Sequence, residues 1–93
     1  MTNGARLQYN RLKFGRLVGL EHGYTQVEVA EAIGVTQHHY SYCESDLRRL
    51  PPWRMQKLAT FYGLSVAEAF PEYKLTKKER EAVQESSNYL AEV

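Results

Sequence analysis

Apolar residues fall at helical intervals along most of this chain. Phe14, Leu17 and Val18 share one face of a first segment, and Val29, Ala30 and Ile33 share one face of a second. Tyr40 and Cys43 stand three apart in a third. Trp53, Leu58, Phe61 and Tyr62 supply bulk from a fourth, and Leu64, Val66, Ala69 and Phe70 close that end. These faces are the expected core. No stretch alternates over six residues with β-branched enrichment, so the pattern predicts an all-α chain.

The breaks between segments are as informative as the segments. A glycine, an apolar residue and a hydroxyl residue occur together as Gly23-Tyr24-Thr25, Gly34-Val35-Thr36 and Gly63-Leu64-Ser65. Glycine accepts the left-handed conformation that closes a helix, the apolar residue folds back on that helix, and the hydroxyl caps the next one. Thr25 with Glu28, Ser65 with Glu68 and Thr76 with Glu79 each have the spacing of a capping box. The expected helices run from Ala5 to Glu21, Gln26 to Ile33, Gln37 to Glu44, Pro52 to Tyr62, Val66 to Phe70 and Lys77 towards Leu90. Gly15 and Gly19, four apart, are placed inside the first helix, where they allow close packing. The expected organisation is a domain over 1–70, a linker over 71–75 and a C-terminal helix over 76–93.

Composition narrows the function classes. With 93 residues the chain is expected to form one domain, too small for a scaffold plus a large catalytic cleft. One cysteine, Cys43, excludes an internal disulfide. No apolar run is long enough to span a membrane, and the first residues lack the apolar core of a signal peptide, so a reducing cytosol is the expected location. The net charge of +1 is not the basic excess expected of a nucleic-acid binder. Charge alone therefore points mildly away from that class.

Arrangement points toward it. Two short helices joined by Gly34-Val35-Thr36, with small Ala30 where they cross, form a helix-turn-helix arrangement. Over residues 11–70 the chain resembles the phage-repressor-type (Cro/CI-like, XRE) helix-turn-helix family. The likeness is carried by Thr25-Gln26, Glu28-Val29-Ala30, Ile33-Gly34-Val35-Thr36, Tyr40-Ser41 and Cys43-Glu44. Leu58-Ala59, Tyr62-Gly63-Leu64-Ser65-Val66, Glu68 and Phe70 continue it. The resemblance implies a compact five-helix repressor-like domain plus a C-terminal helix. It also implies that helix 37–44 enters the major groove of double-stranded DNA. It places Gln37, His38, Ser41 and Tyr42 where family members contact base edges. Gln26, Thr36, Arg48 and Arg49 fall where they hold phosphates.

The chemistry of those residues is compatible with such roles. A glutamine amide reads adenine bidentately, histidine offers a donor and an acceptor, and tyrosine can donate or pack against a thymine methyl. Gln26 stands beside helix-start amides, and arginines pair with phosphates. Blander readings stay open: Tyr42 as a cover for the fourth helix, Gln26 as helix surface, and Arg48-Arg49 as a solvated pair. Three departures from the family pattern stand out. Gly19 occupies the place of a basic residue that pairs with the glutamate matching Glu44, so that pair is not expected. Asp46 stands where glycine is usual. Helix 37–44 has no Arg or Lys, which leaves out the commonest guanine contact and leans the expected target toward A·T pairs.

Other chemistries are weaker. His39 and Cys43 are four apart, but no further ligand has suitable spacing, so neither metal nor cofactor is expected. Nothing places a base to activate Cys43, so no enzyme is expected. Leu75, Ala82, Val83, Tyr89, Leu90 and Val93 form a weak seam in the last helix. Of these, Val83, Tyr89, Leu90 and Val93 are the candidates for a homodimer contact, the alternative being packing on their own domain. The expected function is a transcriptional regulator, a repressor by occupancy, acting as a homodimer on a palindromic operator. The alternative is an antitoxin or other module whose main ligand is a protein partner, such as a toxin or co-regulator.

Overall fold

The computed structural model describes residues 1–83. Five helices follow one another: α1 (Asn3–Leu17), α2 (Gln26–Ile33), α3 (Gln37–Glu44), α4 (Pro52–Phe61) and α5 (Val66–Ala69). A further helix, α6, covers 77–83, and no strand occurs among the described residues. The all-α expectation therefore holds, and α2 and α3 have the expected bounds. Among these residues no helix is long and apolar enough to cross a membrane.

The capping chemistry is as expected. Thr25 and Glu28 form a reciprocal box at α2, as do Ser65 and Glu68 at α5. At α6, Thr76 N–H donates to Glu79 and Glu79 N–H donates to Thr76 Oγ1. Each box satisfies two amides that a helix start leaves orphaned. Pro52 begins α4, where its missing N–H costs nothing.

Helix α1 departs from expectation. It starts at Asn3 and ends at Leu17, four residues before the expected end at Glu21. Gly19, at φ 97°, lies beyond its end rather than inside it, and the Leu20 amide closes the turn onto the Gly15 carbonyl. Gly23 thus turns the following loop instead of ending the helix. The inward face is Leu7, Asn10 and Gly15, with Phe14 at its edge. Leu17 and Val18, expected inside, are 70% and 64% exposed. They stand seven residues after Asn10 and Arg11, on the same face, but at the very end of α1, beyond the contacts that α3 makes at Gly4 and Arg11. At Gly15 the space for a side chain is already filled: a Cβ would lie 2.1 Å from the Tyr24 amide nitrogen. The close packing expected of Gly15 is therefore present, and that of Gly19 is not.

The core joins all of α1 to α5. Leu7, Val29, Ala30, Ile33, Tyr40, Cys43, Leu58, Ala59, Ala69 and Phe70 are buried in one cluster, together with Leu50 and Met55. Val35 and Tyr62 pack against it. Trp53, expected inside, is 58% exposed, with the Arg54 guanidinium 4.0 Å over its ring. Phe61 is partly exposed, tilted against Tyr24. Buried Asn10 donates to the Ala69 carbonyl at 2.6 Å, so the last turn of α5 is satisfied from α1.

Candidate nucleic-acid interface

Helix α3 has two unlike faces. Tyr40 and Cys43 point into the core, and burial pushes the Cys43 thiol above its ordinary pKa. Gln37, His38 and Tyr42 are exposed on the opposite face, and Ser41 is half-buried between them. All four expected base-reading residues thus share one surface. His38 packs its ring edgewise on Tyr42 with centroids 4.5 Å apart, so these two side chains form one unit.

The start of α3 is capped by Thr36, whose hydroxyl accepts from the His39 amide at 3.1 Å. Gly34 makes the turn before it at φ 73°. The Val35 amide bonds back to the Ala30 carbonyl across that turn. At the other end Asp46 takes the left-handed conformation at φ 61°, as its position required. Its carboxylate accepts from the Gly4 amide at 2.8 Å, which ties this turn to the start of α1.

A polar chain runs from the body of the fold to the tip of α3. Arg11 donates from Nε to Glu44 at 2.6 Å and from a terminal nitrogen at 3.1 Å. Its other terminal nitrogen donates to the Tyr24 carbonyl at 2.8 Å. Glu44 then accepts from Gln26 at 3.1 Å, and Gln26 accepts from Gln37 at 3.0 Å. The pair with Glu44 that Gly19 could not make is therefore made by Arg11. Its side chains are 12% and 7% exposed, so the bidentate geometry matters: a buried ion pair holds only when its hydrogen bonds are satisfied. Gln37 has a second amide hydrogen and a carbonyl oxygen left over, the two groups a bidentate adenine contact uses.

The expected phosphate contacts divide. Gln26 is half-buried within that chain, and Thr36 and Arg48 are exposed. Arg49, at the surface, is already engaged within the chain, paired to Glu79 at 2.7 Å. Two cations that sequence reasoning did not single out stand near the turn. Arg54 donates to the Ile33 carbonyl at the end of α2, where a cation offsets the negative helix end. A side chain on Gly34 would lie 3.2 Å from Arg54 and 4.0 Å from Lys57. Arg54 and Lys57 are three apart, one turn of α4, and that shared face was the available signal. Among the described residues no cluster of three His, Cys, Asp or Glu could hold a metal ion. Of the dimer candidates, Val83 is 43% exposed, and Tyr89, Leu90 and Val93 lie outside the described residues.

Comparison with known proteins now bears on this geometry. A helix-turn-helix family model matches residues 16–68, more than half of the chain. The chain belongs to the phage-repressor-type helix-turn-helix family. Members of this family are DNA-binding regulators, which is the use that α2, its turn and α3 fit. The fold is also similar to a solved structure of a SinR protein/SinI protein complex, with a TM-score of 0.54 and 21% identity. That match covers 92% of this chain and 79% of the other. A comparison with curated proteins found no significant match.

Proposed function

We propose that this chain is a sequence-specific transcriptional regulator that sets α3 into the major groove of an operator. The observation that carries this reading is the placement of Gln37. It stands exposed at the first turn of α3, with its amide aimed by Gln26 and anchored through Glu44 to Arg11. A reading residue must be held in place, and this one is held by three others. His38, Ser41 and Tyr42 complete the base-reading face, and Gln26, Thr36 and Arg48 supply phosphate contacts. Repression by occupying a promoter is the simplest mechanism for a domain of this size, and the cytoplasm is where such a protein meets its DNA. A homodimer on a palindrome fits the expected role of Val83, Tyr89, Leu90 and Val93. Selection from a random pool of duplexes tests the reading. Enrichment of a palindrome supports it, and its half-site spacing gives the dimer geometry. No enrichment at low salt overturns it.

A protein-partner module is the second reading. It is favoured by the exposed apolar Leu17 and Val18 at the end of α1, and by the similar fold seen in the SinR/SinI complex. Co-purification of a stoichiometric second chain, with no DNA enrichment, would replace the first reading with this one.

A further inference from the structure

Arg49 is the junction between the loop after α3 and the start of α6. It donates from Nε at 3.1 Å and from a terminal nitrogen at 2.7 Å to the two oxygens of Glu79. The same terminal nitrogen reaches the Lys74 carbonyl. The guanidinium lies 4.5 Å over the Tyr73 ring, and Tyr73 donates its hydroxyl to the Leu50 carbonyl at 3.2 Å. Arg49 also borders the depression that contains Thr36, His39 and Arg54, beside the start of α3. One guanidinium therefore sits between the helix proposed to read DNA and the C-terminal helix.

We propose that Glu79 is an internal stand-in for a DNA phosphate, occupying Arg49 in the free protein and lowering DNA affinity. This rests on the DNA-binding reading above. A guanidinium presents a planar fork that fits carboxylate and phosphate alike, and the fork edge bonded to Glu79 cannot serve both at once. The Glu79 carboxyl is held down to about 2 by its bonds with Arg49, so the competitor is charged at any physiological pH. Binding of a phosphate at Arg49 then requires Glu79 to let go. By reciprocity, DNA loosens the start of α6 by the same factor that α6 weakens DNA binding. Whatever displaces α6 acts on DNA affinity without touching α3.

The test is DNA titration of the full chain against salt, with a mixed-sequence duplex and with the selected operator. Glu79→Gln removes the charge yet keeps the cap, because glutamine serves in a capping box. The expected result is binding about fivefold tighter at low salt. The slope of log affinity against log salt should steepen by about 0.9, the value for one added phosphate contact. In an Arg49→Gln background the same change should give no gain. A gain of equal size there means a general charge effect and overturns the proposal. So does a Glu79→Gln protein that matches the parent in affinity and slope, which leaves DNA binding itself intact. If neither protein binds any duplex at low salt, the DNA-binding reading falls and takes this one with it.

Discussion

Gln26 accepts a hydrogen bond from the side chain of Gln37 at 3.0 Å, so the first residue of one helix aims the first residue of the next. The consequence is that specificity at one base pair is set by two residues, of which only one is placed to touch the base. Gln37→Ala should cost about 1–3 kcal/mol on the selected operator and relax preference at one position. Gln26→Ala should relax the same position, with a smaller loss, because Gln37 keeps its groups but loses its aim. Titration against single-base operator variants checks both. A Gln37→Ala protein with unchanged preference would mean the reading face is misassigned.

Arg11 and Glu44 form a nearly dry ion pair, and each is expensive without the other. Arg11→Met should destabilise the fold by about 3–5 kcal/mol, the usual cost of stranding a buried charge. Arg11→Met with Glu44→Leu should recover part of that loss, giving a favourable coupling in a double-mutant cycle. Urea unfolding of the four proteins measures it. Additive losses would show that the pair is not coupled.

Acid should attack the fold at Arg6 and Glu72. The Arg6 guanidinium, hydrogen-bonded at 2.9 Å and 2.6 Å, holds the Glu72 carboxyl at about 2, below its ordinary 4.5. A depressed folded pKa means that the unfolded chain takes up protons first as pH falls. The stability this pair adds is complete above about pH 4.5 and is lost as pH falls through about 2. Glu72→Gln should therefore be less stable than the parent at pH 7, with the two converging near pH 2. Urea midpoints across that range test this, and parallel curves would exclude the pair as a source of acid sensitivity.

Gly15→Ala should run against the usual rule. In an open helix the change gains up to about 1 kcal/mol. Here the new Cβ meets the backbone of Gly23 and Tyr24, which cannot move aside as a flexible side chain would. The expected outcome is a loss of about 1–3 kcal/mol, typical of overpacking, read as a lowered thermal midpoint. A raised midpoint would mean that the loop after α1 does not lie against the helix.

Helices α2 and α3 were legible because their signals are local. Thr25, Glu28, Gly34 and Thr36 each specify a cap or a turn from neighbouring amides alone. The buried part of the α1 face was not legible. Leu7, Asn10, Arg11, Phe14, Leu17 and Val18 share one helical face, and periodicity does not say where along it packing stops. The polar members Asn10 and Arg11 disguised the packed end, since their partners Ala69 and Glu44 are remote in sequence. Trp53 failed for a related reason: its size argued for burial, but its direction depended on how α4 sits. In the site, shared exposure of Gln37, His38 and Tyr42 followed from helical spacing. The capture of Arg49 by Glu79 joins positions that no local rule connects.

The anchoring of Glu44 by Arg11 also bears on where the protein can be cut. The stretch that the family shares begins at residue 16, downstream of Leu7, Asn10 and Arg11. An excised fragment trimmed to that stretch keeps every recognisable signature and loses the guanidinium on which Glu44, Gln26 and Gln37 depend. The unit of homology is shorter than the unit of folding, and a minimal fragment that works has to reach back to the first turn of α1.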